Sequence, residues 1–196
     1  MGRIVVTEFV SLDGVMEDPG GAEDFKYGGW AFDFSRGEEG DKFKYDEVLE
    51  SEAFLLGRVT YDGFADAWPE REGDFADRFN NMRKYVVGSK ADASRWTNTI
   101  VLDGDPVDAI RRVRDEHRGN IYVHGSRQLA QTLLEYDLVD QLNLMVFPVV
   151  LGTGKRIFGE TGNQKKLRLV DSKVVGDGVA ILIYEPAQGD TAQATR

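Results

Sequence analysis

A chain of 196 residues with 41% hydrophobic and 30% charged residues is long enough for one well-formed core and too apolar for general disorder. Its net charge of −10 argues against a nucleic-acid scaffold, for which a basic face is expected, and the lack of cysteine excludes disulfides, cysteine–zinc sites and thiol nucleophiles. No window approaches the apolar length of a membrane span and MGRIVVTEFVSLDG carries no apolar leader core, so a cytoplasmic protein with no membrane or nucleic-acid partner is expected.

Residues 3–10 (RIVVTEFV) predict a first strand. SLDGVMEDPGGAED follows as a long polar, Gly-rich loop running towards WAFDF, either a functional lid or a surface excursion. Residues 38–51 carry helical spacing through Phe43, Glu47 and Glu50. AFLLG at 53–57 is a short buried strand, and a helix is predicted over 58–66. WPEREGDFADRFNNM holds a further helix and leads into a strand, KYVVGS, at 84–89. TIVLDG at 99–104 is another strand. Asp105-Pro106 then sets a cap before a proline at the first helical position, and that helix is predicted to end near Gly119. In NIYVHGSRQLAQTLLEY a strand over 121–124 gives way at Gly125-Ser126 to a helix. LVDQLNLMVFPVVLG reads as one long strand with Leu142, Leu144 and Val146 alternating. LRLVDSKVVGDGVAILIYEP places Gly-Asp-Gly between two β-rich runs, an antiparallel hairpin. Residues 187–196 lack apolar content and predict a flexible tail behind a single domain over 1–186.

Strand and helix alternate through residue 136, and only strands follow. That order predicts a three-layer α/β domain with a mainly parallel mixed sheet, helices on both faces and a C-terminal antiparallel hairpin. Ligands of such sheets settle beyond the carboxyl ends of the strands. Three strand ends share one choice of residues: Gly57-Arg58-Val59-Thr60, Gly88-Ser89-Lys90 and Gly125-Ser126-Arg127. Each joins a glycine, a hydroxyl and a cation, and a helix start presents outward N–H groups. Any one of these is an ordinary strand-to-helix turn. Three at one edge of an acidic chain form a donor set for a polyphosphate. Gly152-Thr153-Gly154-Lys155 lacks the P-loop spacer and reads as a turn.

The stretches FVSLDGVME, LLGRVTYDGFADAWP, YVVGSK, IYVHGSRQLAQTLLEYDLVDQLNLMVFPVVLGTGKRIF and the closing hairpin resemble, in order, the dihydrofolate reductase superfamily. The branch is the one that shares the reductase domain of riboflavin biosynthesis. The resemblance implies an NADPH-dependent reductase of a small heterocyclic or carbonyl substrate, pterin- or pyrimidine-like. It places Arg58 and Thr60, behind Gly57, at cofactor phosphates, and Ser89 and Lys90, behind Gly88, at the adenosine ribose phosphate. Gly125, Ser126, Arg127 and Gln128 fall at the pyrophosphate turn. The family commonly has Gly-Gly where this chain has Gly125-Ser126, and the adjacent peptide in folate reductases is often cis; a non-proline cis bond costs about 3 kcal/mol. The riboflavin enzymes often carry a zinc deaminase domain as well, whose cysteine ligands are absent here.

A reductase also needs a proton. Folate reductases use an acid on the helix before the Gly-Arg-x-Thr strand, where this chain offers Asp41, Asp46, Glu47 and Glu50; Asp41 matches the family spacing, sixteen residues before Gly57. Asp13, in SLDG, is the other candidate, with an Asx-turn role as its plain reading. Trp30 and Phe32 could wall a planar ring or simply fill the core. His124 reads as an interior or rim histidine and His117 as a surface residue at a helix C-terminus. Two scattered histidines and no cysteine predict no metal. The long apolar C-terminal strands predict a homodimer. The competing expectation is a non-catalytic nucleotide-binding protein that kept only the cofactor cleft.

Overall fold

The computed structural model describes residues 1–88 and 90–187. Eight strands form one sheet in the order β4-β3-β2-β5-β1-β6-β8-β7. In chain order they are β1 (Arg3–Ser11), β2 (Ser51–Gly57), β3 (Arg83–Val87), β4 (Thr99–Leu102), β5 (Asn120–His124), β6 (Gln141–Phe147), β7 (Leu167–Val175) and β8 (Val179–Pro186). The helices are α1 (Gly37–Glu50), α2 (Arg58–Ala67), α3 (Asp74–Asn81), α4 (Pro106–Glu116) and α5 (Arg127–Glu135). The first six strands are parallel, and β8 runs antiparallel between β6 and β7. The predicted three-layer α/β architecture with a closing hairpin is therefore present.

The central strands are apolar on both faces, as a covered parallel sheet requires. Ile4, Val6, Ile121 and Val123 pack against Val107, Ile110 and Val113 of α4 and Leu129, Ala130 and Leu133 of α5. On the other face Val5, Phe54, Leu56 and Tyr122 meet Val48 of α1, Tyr61 of α2 and Phe79 of α3. So α4 and α5 cover one face and α1 to α3 the other. Asp105 caps α4 as its sequence predicts, accepting the Val107 N–H at 2.9 Å ahead of Pro106.

The 138–152 segment is not one long strand. Pro148 has no N–H to donate to the ladder, and Val149 N–H turns back onto Phe147 O at 2.8 Å, so β6 ends at Phe147. Its start is set by Asp140, whose carboxylate accepts the Ile4 N–H at 2.8 Å and the Arg114 guanidinium at 2.6 Å. His117, expected at the surface, is buried at that same amino edge of the strands: Nδ1 meets Glu52 at 2.8 Å and Nε2 meets the Tyr85 hydroxyl at 3.0 Å. Lys84 of β3 is buried as well, with its ammonium donating to the carbonyls of Asn80, Met82 and Thr97 at 2.6, 2.7 and 3.1 Å. The tail beyond 187 lies outside the described residues.

Candidate functional site

The carboxyl ends of β2 and β5 are neighbours, and the helices that leave them go to opposite faces, α2 to one and α5 to the other. A crevice opens wherever adjacent parallel strands part in this way. Two hydrogen bonds lock it together. Ser126 Oγ accepts the Gly57 N–H at 2.8 Å, and the Ser126 N–H donates to Thr60 Oγ1 at 2.9 Å. Ser126 is the N-cap residue of α5 yet makes no cap bond to its own helix, and Gly57 gives α2 no side-chain cap either. Among the described residues, the first N–H groups of both helices thus have no side-chain acceptor from their own N-cap positions.

Gly125 and Ser126 are both left-handed, with φ of 58° and 62°, and the described chain contains no cis peptide. The Gly-Ser pair makes this turn by consecutive left-handed residues, a conformation a serine tolerates at some cost. A side chain at Gly125 would stand 3.1 Å from Thr60 Cγ2. Gly88 has φ of 144°, and a Cβ there would lie 2.9 Å from Arg58 Cβ. These close approaches bring the ends of β3, β2 and β5 into one cradle. Arg58 is anchored to Asp62 at 2.9 Å, and Asp62 also receives Arg95 at 2.9 Å. Lys90 and Gln128 are exposed, Arg127 is half-buried, and Ser89 lies outside the described residues. Arg95, which brings a further cation to this rim, carries no sequence signal of its own.

A second polar group lies beneath α1. Thr7 pairs in register with His124 on β5 and with Asn143 on β6, so the three residues form one row across three strands. The Lys44 ammonium from α1 donates to Thr7 Oγ1 at 2.9 Å and to Glu47, which also accepts the Asn143 amide at 2.8 Å. Glu47, His124 and Asn143 are buried. Burial, and then the nearby Lys44 charge, push the His124 pKa well below its ordinary value, and its Nε2 has no hydrogen-bond partner among the described residues.

The two expected proton donors sit elsewhere. Asp13 accepts the Ser11 hydroxyl at 2.7 Å and the N–H groups of Leu151 and Gly152 at 3.1 and 2.9 Å. The Ser11 hydroxyl, followed by those amides, holds its pKa down to about 2, which suits a loop anchor rather than an acid that gives a proton near neutrality. Asp41 lies on the solvent side of α1, paired with Arg36 at 2.7 Å. Trp30 is buried and donates to Glu17 O at 2.8 Å, whereas Phe32 points to solvent. The 152–155 turn docks on the loop after β1 through Lys155 N–H to Glu17 at 2.9 Å, the turn role expected of it.

One more buried acid faces the α5 side. Glu8 of β1 is 3% exposed, and its Oε1 has no hydrogen-bond partner among the described residues. Burial raises its pKa well above the carboxylate range, against the lowering pull of Lys44 and of the Gly125 N–H. Sequence inspection passed over Glu8, Thr7, Lys44 and Asn143. The available signal was a polar residue inside an otherwise apolar strand, as in TEFV and LNLMVF.

Three comparisons bear on this arrangement. The uncharacterized protein YyaP of Bacillus subtilis (strain 168) is 24% identical over 187 residues, covering 93% of this chain and 94% of that one. A structure from Shewanella sp. PV-4, described as a candidate riboflavin biosynthesis protein, superposes with a TM-score of 0.77 at 21% identity, covering 95% of this chain and 99% of that one. Dihydrofolate reductase from Enterococcus faecalis, in complex with NADP(H) and RAB-propyl, gives 0.61 at 15% identity over 94% and 96% of the two chains. The fold is thus dihydrofolate reductase-like. The RibD C-terminal domain model matches residues 3–181, and the chain belongs to that family.

Proposed function

We propose that this protein is an NADPH-dependent reductase that passes hydride to a small heterocyclic or carbonyl substrate. The observation that carries the reading is the interlock of Ser126 with Gly57 and Thr60, which sets two helix starts side by side, neither capped by the side chain of its own N-cap residue. Such amides and the dipole behind them favour a diphosphate. The NADP(H) held by the E. faecalis enzyme of the same fold supports this choice of ligand.

In this reading Gly125, Ser126, Arg127 and Gln128 hold the diphosphate, with Thr60 fixing the turn. Arg58, Ser89 and Lys90 hold the ribose phosphate, and Gly57 and Gly88 let the backbone come close. NADPH, when bound, supplies the hydride. Lys44, at the centre of the Thr7–His124–Asn143 row, is the proposed proton source and polarises the substrate carbonyl or imine. Glu47 holds that ammonium in place.

The test is direct NADPH binding together with NADPH oxidation across pterin, pyrimidine and quinonoid substrates. Binding with turnover on one of them is expected. Binding without turnover on any would mark a non-catalytic cofactor-binding protein, and absence of binding would overturn both readings.

A further inference from the structure

The proposed cofactor site has a direction fixed by the sheet. Lys90 stands behind β3, Arg58 behind β2 and the diphosphate turn behind β5. In the order β3-β2-β5-β1, one further step in the same direction reaches β1. Neighbouring strands lie about 4.8 Å apart, so a dinucleotide laid across these ends brings its reactive end over β1. The β1 residue next to Gly125 is Glu8, because Thr7 pairs with His124.

Glu8 lies on the α5 face with Val6 and Val10, which pack with Leu129 and Ala130. Its register position sets it beside Gly125, and its Oε1 is buried without a hydrogen-bond partner among the described residues. The other acids of this region are engaged: Asp13 by loop amides and Glu47 by Lys44 and Asn143. A buried polar atom without a partner costs free energy that a ligand donor would remove. Burial also favours the neutral form of this carboxyl, so it does not repel a diphosphate bound beside it. A neutral carboxyl offers both an acceptor and a donor, the complement of a primary carboxamide. The nicotinamide ring carries that group.

We propose that Glu8 binds the nicotinamide carboxamide, with Oε1 accepting one of its N–H groups, and so fixes the ring where β1 runs on past the carboxyl end of β5. The proposal rests on the cofactor reading above.

Three probes test it on the full chain: NADPH, its 3-acetylpyridine analogue, in which a methyl replaces the carboxamide nitrogen, and 2′,5′-ADP, which carries only the adenosine end. Wild type should bind NADPH about tenfold more tightly than the analogue, and Glu8→Leu should bring the two within about twofold. Binding of 2′,5′-ADP should be the same in both proteins. Glu8→Gln, which keeps an oxygen acceptor in the same shape, should retain the preference. Equal binding of the two dinucleotides by wild type overturns the proposal without any variant. So does an unchanged preference in folded Glu8→Leu, or a lost one in Glu8→Gln. Failure of wild type to bind either NADPH or 2′,5′-ADP is a different result, and overturns the cofactor reading itself.

Discussion

Ser126 accepts the Gly57 amide hydrogen at 2.8 Å, so the residue that opens α5 is spent on the end of β2 rather than on its own helix. The sequence places these residues 69 positions apart, and the bond makes two strand ends one unit. Removing the hydroxyl leaves the Gly57 N–H without this partner. Ser126→Ala should therefore lower stability by about 1–2 kcal/mol and weaken NADPH by about tenfold. Thermal unfolding and a binding titration check both. Unchanged NADPH affinity alongside reduced stability would make Ser126 a structural clamp only.

Lys90→Ala should weaken NADPH by about tenfold through loss of a charge-assisted bond, while NADH, lacking the ribose phosphate, hardly changes. Arg58→Ala should act in the same direction with a smaller effect, because its guanidinium is shared with Asp62. Dissociation constants for both cofactors at fixed salt are the measurement. Parallel losses for NADPH and NADH would sink the assignment.

The Lys44–Glu47 pair should be strongly coupled. Glu47 is buried, and Lys44→Met leaves its charge uncompensated, so about 3–5 kcal/mol should be lost. Lys44→Met with Glu47→Gln should recover much of that loss, since the amide carries no charge. A double-mutant cycle by chemical denaturation reads the coupling, and additive single effects would show that the two side chains act independently.

Lys84 should make stability depend on pH above neutrality. Burial pulls its pKa down to about 7 from 10.5, against three carbonyls that favour the ammonium. Between those values the unfolded chain binds more protons than the folded one, so this side chain's contribution to stability rises with pH and is least favourable below 7. The unfolding free energy of wild type should climb relative to Lys84→Met from about pH 7 to pH 10. Parallel profiles for the two proteins would show that the carbonyls hold the lysine charged throughout.

We also propose that the protein pairs with a second copy through β7. This edge strand leaves Leu169, Val170 and Val174 exposed, and Val174 is 70% exposed. Unpaired edges of this kind are normally covered. Light scattering should give twice the 21.9 kDa chain mass, and Val174→Glu should shift the protein towards monomer. A wild-type mass near 21.9 kDa at micromolar concentration would end the proposal.

Strands, helices and the glycine-hydroxyl-cation junctions were legible because each is written in a few consecutive residues. Gly57, Gly88 and Gly125 announce themselves by where an apolar run stops. The row of Thr7, His124 and Asn143 was not legible, because the register of three strands distant in sequence creates it. Helix phase explains the choice between acids on α1. Six residues, about 240° of rotation, separate Asp41 from Glu47, and only the latter turns inward. The extent of β6 was misread because alternation continues past Pro148 while hydrogen bonding cannot.

The amino edge of the sheet carries Asp140 with Arg114 and Ile4, His117 between Glu52 and Tyr85, and the Lys84 tripod. These fastenings hold strands together from the end opposite the cradle, and where the Lys84 tripod meets the connection from β3 it does so at Thr97, just before β4 begins. The molecule is therefore partitioned like a hand gripped at the wrist, with its fingers free to be exchanged. Grafting the 12–29 segment of a relative should retune substrate choice while the melting behaviour set by the far edge stays in place, which gives protein engineers a region to diversify and another to leave alone.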